Sequence, residues 1–279
     1  PEGESCKTFR ALENYIEKIL QKGIHRGTHI VTIGGGATSD FGGLLASMLL
    51  RGLKWSAIPT TLLSMIDASI GGKVAINSEY GKNLVGAFHK PDSIIICDEF
   101  LKTLEREHFV SGLGELIKYG FLCSDLSEAI RQEIKLSELI KMCGAFKEEL
   151  TIKDYRENGE RKSLNLGHTL GHAFEKYYQI PHGIAVYHGI IAENIVLKDS
   201  NTAALIDKHF NIFKDKLQIN IKPLSISKKD ISDLIDLCFK DKKMKNRSDL
   251  EFVIAKGISQ IEYLVVNKAK LSHMLLSLV

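Results

Sequence analysis

The sequence predicts an α/β N-terminal part built on a parallel sheet, followed by an all-helical C-terminal part. Three observations predict it. The run "HIVTI" (His29–Ile33) is short, apolar and β-branched, and it feeds three glycines and an apolar helix. Two more short apolar runs follow, "KWSAIPTT" and "DSIIICDEF". Beyond about residue 104 nearly every segment has helical spacing, and strand-like spacing returns only near the end. Strand, glycine turn, helix, strand is a βαβ unit of a parallel sheet.

Taken in order, "FRALENYIEKILQKGI" (Phe9–Ile24) has the spacing of an amphipathic helix. The strand at His29–Ile33 follows. Gly34, Gly35 and Gly36 make the turn, and Ser39 and Asp40 are expected to cap the helix carrying Leu44–Leu50. The second strand stops at Pro59, and "DSIIICDEF" is the third. The helical part includes "EREHFVSGLGELIKYGFLC", "GHTLGHAFEKYY" and "HGIAVYHGIIAENIVLKDS". The expected division is 1–103, a Rossmann-like nucleotide-binding part, and 104–279, a helical metal- and substrate-binding part.

Bulk properties remove several function classes. A chain of 279 residues, 44% hydrophobic and 25% charged, can bury a sizeable core. Its net charge of +3 is spread along the chain, unlike the basic face of a nucleic-acid binder. No apolar run is long enough to span a bilayer. The polar start "PEGESCKTFR" lacks the apolar core of a signal peptide. Five scattered cysteines without CxxC spacing suggest reduced thiols in a cytoplasmic protein.

Three groups of residues could carry chemistry. The first is "GGGATSDFGG": backbone N–H groups at a helix start bind anions, and glycines let a phosphate come close. Ser39 stands where a third glycine would complete GxGxxG, so a plain tight turn is an equal reading. The second group is His168 and His172, four apart and each behind a glycine, with His182 after Pro181. Helical spacing puts the first pair on one face. There is no HExxH, and Glu115 in "GLGELIKYG" is the candidate carboxylate partner. His25, His89, His108, His209 and His273 read as ordinary core or surface histidines. The third group is cationic: Lys73 and Lys82 with Asp67 and Asn83, then Lys147 and Arg161. Several cations near a metal suit a substrate bearing phosphate or carboxylate. "KDKKMKNR" (Lys240–Arg247) reads first as a solvated loop.

Together these motifs resemble the 3-dehydroquinate synthase family, an enzyme of the shikimate pathway. The resemblance rests on "GGGATSDFGG", "RGLKWSAIPTTLLSMIDASIGGKVAIN", "GKNLVGAFHKPDSIIICD", "FVSGLGELIKYG", "ENGERKSLNLGHTLGHAFE" and "HGIAV", in family order. It implies a lyase that uses NAD and zinc, with cobalt as an alternative metal. It implies zinc on Glu115, His168 and His182, with His172 a catalytic partner and not a ligand. NAD would meet Glu4, Lys7, Gly35, Gly36, Asp40, Thr60, Thr61, Lys82 and Thr103. A phosphorylated sugar acid would meet Asp67, Lys73, Asn83, Lys118, Lys147, Arg161, Asn165 and one of Lys242 or Lys243. Of these, Lys73, Asn83, Lys118 and Arg161 would join His172 in catalysis. Members carry a further α/β stretch ahead of "PEGE" that supplies early strands and part of the NAD site. Ser39, Ile184 and His188 depart from the common pattern. A homodimer is the candidate assembly, with no nucleic acid or membrane partner. Three rivals stand beside this reading: a metal-dependent polyol or glycerol dehydrogenase, another sugar-phosphate cyclase, and a zinc-stabilised binding protein without catalysis.

Overall fold

A computed structural model describes residues 3–196, 200–243 and 249–279, and the side chains outside 195–201 and 240–248. The first amphipathic segment forms α1 (Phe9–Gln21), whose N-cap Thr8 accepts a hydrogen bond from the Ala11 N–H. The β-branched run forms β1 (His29–Gly34), and the chain turns directly into α2 (Gly36–Met48). β2 (Lys54–Pro59) then pairs parallel to β1, with Ile30 opposite Trp55 and Gly34 opposite Pro59. Leu44, Leu45, Leu49, Trp55 and Ala57 are buried between helix and sheet. This is the expected βαβ unit.

Three local expectations need correction. Ser39 and Asp40 do not cap α2: its N-cap is Gly35, and both residues lie inside the helix. The helix starts earlier because Gly35 and Gly36 can enter a crowded turn beside Thr61 and Ala68. A hairpin follows that the cationic reading of its residues overlooked, β3 (Lys73–Ser78) with β4 (Gly81–Phe88). Val74 and Ile76 are buried in α/β core while Lys73 is exposed, the alternation of a half-buried strand. The third parallel strand, β5 (Ser93–Ile94), is only two residues long. Ile95 and Ile96 are exposed, and the chain soon enters a 3₁₀ turn at Asp98–Thr103.

The helical region opens with α3 (Arg106–Leu122), α4 (Ser124–Arg131) and α5 (Leu136–Lys153). It continues with α6 (His168–Tyr178), α7 (His182–Val196), α8 (Ser200–Lys216) and α9 (Asp230–Lys243). An antiparallel hairpin, β6 (Asp249–Gly257) with β7 (Gln260–Asn267), precedes α10 (Lys268–Leu275). The region is therefore helix-rich, not all-helical. No described helix is long and apolar enough to cross a membrane, and all five cysteines are free thiols.

The chain divides into two compact units. The first holds residues up to Glu105 together with Gly144–Arg156. The second holds Arg106–Cys143 and the chain from Glu157 onward. Within the second unit, α3, α6 and α7 touch through their backbones. A Cβ on Gly114 of α3 would lie 2.1 Å from the Gly183 carbonyl oxygen of α7. One on Gly189 of α7 would lie 1.9 Å from the Gly167 oxygen at the head of α6. These glycines are what allows three helices to meet so closely.

Gly189→Ala measures that constraint. Alanine gains about 1 kcal/mol of helix propensity over glycine. The clash is with a backbone carbonyl that cannot rotate away, and overpacking costs roughly 1–3 kcal/mol or more. The clash should win: the urea midpoint should fall at unchanged slope. An unchanged or higher midpoint would show that the helices have room to spare.

Candidate functional site

The close crossing brings four functional side chains together. α3 supplies Glu115, α6 supplies His168 and His172, and α7 supplies His182 as its first residue. Glu115 is 1% exposed. Its Oε1 lies 3.5 Å from His168 Nε2 and 3.2 Å from His182 Nε2. The ligating atoms of His168, His172 and His182 all lie within 4.8 Å of one another. His172 is exposed and His168 and His182 are partly buried. Lys118, one turn along α3 and also 1% exposed, pairs with Glu115 Oε2 at 2.6 Å.

The outer nitrogens of the two imidazoles facing Glu115 are occupied. His168 Nδ1 meets the Leu166 carbonyl at 3.0 Å. A carbonyl only accepts, so Nδ1 carries the proton and the neutral ring points a bare Nε2 lone pair at Glu115. His182 Nδ1 meets Glu175 Oε2 at 2.8 Å. Burial pushes the His168 pKa down to about 3, despite the pull of Glu115. Burial also opposes charge on His182, but hydrogen bonds to Glu115 and Glu175 outweigh it and hold the pKa up at about 10. A lone pair and a carboxylate oxygen in apposition need a cation between them. Glu115, His168 and His182, with His172 beside them, offer a carboxylate and imidazoles suited to a divalent metal.

Arg161 is 1% exposed, on a 3₁₀ turn at Glu160–Asn165 in the same unit. Glu157 holds it at 4.0 Å from Nε, and Glu157 Oε1 accepts from Asn165 Nδ2 at 2.7 Å. Glu157 and Glu175 escaped the sequence reading. Glu157 could have been found as the residue one turn before Arg161. Glu175 could not, because its partner lies seven residues on and past Pro181.

The first unit gathers a separate group. Lys7 is buried and pairs with Asp40 Oδ2 at 2.7 Å, with Asn83 Oδ1, and more loosely with Glu4 at 3.6 Å. Burial raises the Asp40 pKa, against the opposing pull of Lys7. The turn before α2 lies against the second strand's end: Thr60 N–H donates to Gly34 O at 2.9 Å, and Thr61 crowds Gly35. With Gly35 as N-cap, no side-chain cap hydrogen bond is made at the α2 N-terminus among the described residues, and free N–H groups at a helix start suit a phosphate. Lys147 pairs with the Asp67 carboxylate and donates to its carbonyl at 2.7 Å. Lys73 and Lys82 are exposed on the hairpin, and Thr103 sits on the 98–103 turn, its hydroxyl toward Phe100 O at 3.4 Å. The side chains of Lys242 and Lys243 fall outside the described residues.

Comparison with known proteins settles the family. The profile for the 3-dehydroquinate synthase N-terminal region matches residues 1–111, and that for its C-terminal region matches residues 112–244. The 3-dehydroquinate synthase of Staphylococcus aureus (strain Newman) is 37% identical over 287 residues, 98% of this chain and 79% of that enzyme. The chain belongs to the 3-dehydroquinate synthase family.

Solved structures share the fold of this 3-dehydroquinate synthase family member. A 2-epi-5-epi-valiolone synthase from Streptomyces hygroscopicus subsp. jinggangensis 5008, with NAD+ and Zn2+ bound, superposes with a TM-score of 0.84 at 21% identity. It covers 99% of this chain and 81% of that one. A 2-deoxy-scyllo-inosose synthase complexed with carbaglucose-6-phosphate, NAD+ and Co2+ gives 0.82 at 24%, covering 98% and 80%. A probable glycerol dehydrogenase from Sinorhizobium meliloti 1021 gives only 0.59 at 12%, covering 98% and 81%. The dehydrogenase rival thus shares the architecture, while both halves of the chain match synthase profiles.

A metal at this cluster competes with a proton. With its pKa near 10, His182 is charged at neutral pH in the metal-free chain, and a metal needs its nitrogen bare. Zinc uptake should release about one proton at neutral pH, and affinity should rise with pH until His182 loses its proton unaided. Calorimetry in buffers of different ionisation enthalpy reads this directly. Proton-free uptake with a flat pH dependence would contradict the arrangement.

Proposed function

We propose that the chain is a carbon–oxygen lyase of the shikimate pathway, converting 3-deoxy-D-arabino-heptulosonate 7-phosphate to 3-dehydroquinate and phosphate. The observation that carries this is the buried Glu115 facing the Nε2 atoms of His168 and His182, in a chain whose two halves match 3-dehydroquinate synthase. NAD and a divalent metal, zinc or cobalt, are the cofactors this reading calls for; two sugar-phosphate cyclases of the same fold carry NAD+ with Zn2+ or Co2+.

Glu115, His168 and His182 would hold the metal. Gly35, Gly36, Asp40, Thr60 and Thr61, with Glu4, Lys7, Lys82 and Thr103, would hold NAD. When bound, the metal supplies Lewis-acid polarisation of substrate hydroxyl oxygens, and NAD supplies a reversible oxidation at C5 that acidifies the neighbouring proton. The chain's own groups do the rest. His172, the exposed imidazole of the cluster, is assigned to pass a proton at its ring nitrogen as phosphate leaves. Lys118 balances the charge on Glu115. Arg161 and Asn165, both beside Glu157, are assigned to the substrate carboxylate end. Lys73, Asn83 and Lys147 are assigned to the substrate phosphate, and Asp67 and one of Lys242 or Lys243 to the substrate as well. After elimination the ring opens and an aldol closure gives the carbocycle, which requires one flexible substrate to be held in a single conformer.

The cyclase and dehydrogenase readings differ in the fate of the hydride. In the cyclase it returns within the same turnover, so NAD is a catalyst. Supplied with the heptulosonate phosphate and a trace of NAD, the protein should release phosphate in large excess over the NAD added, without net NADH absorbance. NADH formed in step with oxidation of glycerol or a similar polyol, with no phosphate released, would overturn the reading.

A further inference from the structure

We propose that Glu193 is a positioning residue for the metal centre, holding the head of the ligand helix α6 in register with α7. The helix α6 begins at His168, and its N-cap is Gly167, which has no side chain to satisfy the first-turn N–H groups. A residue of another helix does it instead. Glu193 of α7 accepts from the Gly167 N–H at 3.1 Å through Oε2 and from the Leu170 N–H at 2.9 Å through Oε1. Those two amides bracket His168. The carboxylate is 1% exposed.

The geometry assigns this carboxylate a task beyond capping. Glu193 lies eleven residues after His182 on the same helix, 193 less 182, which is about 16 Å along the axis at 1.5 Å per residue. It therefore cannot touch the metal itself. It fixes instead how far α6 slides along α7, and so the separation of His168 from His182. The same crossing is where Gly189 meets the Gly167 carbonyl and where Ile190 packs on Gly167. Glycine contacts alone bring the helices close but leave them free to slip, because a glycine presents no knob to lock a position. Two hydrogen bonds to one rigid carboxylate remove that freedom. Metal–ligand distances must hold to about 0.2 Å, so slack at this point is felt at the metal. Residues outside the ligand set that orient ligands typically change metal affinity by about 10–100-fold when removed.

This inference rests on the assignment of Glu115, His168 and His182 as ligands, and its test reads metal binding without turnover. Glu193→Gln keeps the volume but offers one acceptor where two N–H donors need one each. Glu193→Asp keeps both oxygens on a shorter arm. Zinc affinity, measured against a chelator of known strength, should fall in the order wild type, Glu193→Asp, Glu193→Gln, with the last weaker by roughly tenfold or more. At saturating Co2+, the visible absorption bands should shift or lose intensity in Glu193→Gln, since they report ligand geometry. A purely structural cap would lower the melting temperature while leaving the zinc affinity and the Co2+ spectrum as in wild type, and that outcome overturns the proposal. If Glu193→Gln does not fold, Glu193→Asp carries the test alone, and unchanged affinity there overturns it equally. Failure of the wild-type protein to bind metal would instead remove the ligand assignment.

Discussion

The backbone-to-backbone contact of α3, α6 and α7 is the constraint on which the second unit depends. Helices ordinarily pack 8–10 Å apart, kept there by their side chains. Here Gly114 and Gly183 at one crossing, and Gly167 and Gly189 at the other, let carbonyls come where a Cβ would stand. The short side chains Glu115, His168 and His182 can converge only because their helices do. Glu115 follows Gly114, His168 follows Gly167 and His182 precedes Gly183: the glycine makes the approach, and its neighbour uses it.

Closeness creates an electrostatic requirement. A carboxylate as buried as Glu115 is costly without partners, and a buried ion pair only partly repays the loss of water. Lys118 compensates one oxygen. The other faces two imidazoles, one neutral with its lone pair turned inward, the other held charged by Glu115 and Glu175. The cluster is thus balanced by a proton on His182 or by a divalent cation in its place. The same side chains would be a poor choice for a merely structural core, where apolar residues of similar volume serve as well or better.

What the sequence made legible follows the range of the interactions. The βαβ unit was readable because β-branched runs and a glycine turn are local signals. His168 and His172 were readable as a helical pair, and Glu115 through its place in "GLGELIKYG". The proposed ligand set rests on family resemblance: spacing alone does not choose between Glu115 and His172 as partner of His168 and His182. Glu175 and Glu193 were not legible. Each acts on a partner 7, 23 or 26 positions away, across the break between α6 and α7, and helical periodicity does not carry over such a break. The β3–β4 hairpin was missed because its lysines and asparagines drew a chemical reading, although Val74 and Ile76 alternate with exposed and half-buried neighbours as a strand should. The misplaced α2 cap has a similar cause. Ser39 and Asp40 are common cap residues, but the two glycines before them already fit the turn, and Asp40 is committed to Lys7.

The central claim is that the glycine-packed crossing of three helices builds a metal centre from one carboxylate and two imidazoles. X-ray absorption at the zinc edge, with crystallographic anomalous difference maps from the same zinc-loaded protein, tests it most directly. The account predicts one zinc per chain, bonded to a Glu115 oxygen and to the Nε2 atoms of His168 and His182, with His172 outside bonding distance. Zinc bonded to three imidazoles with Glu115 left on Lys118, or no zinc at the crossing at all, would contradict it.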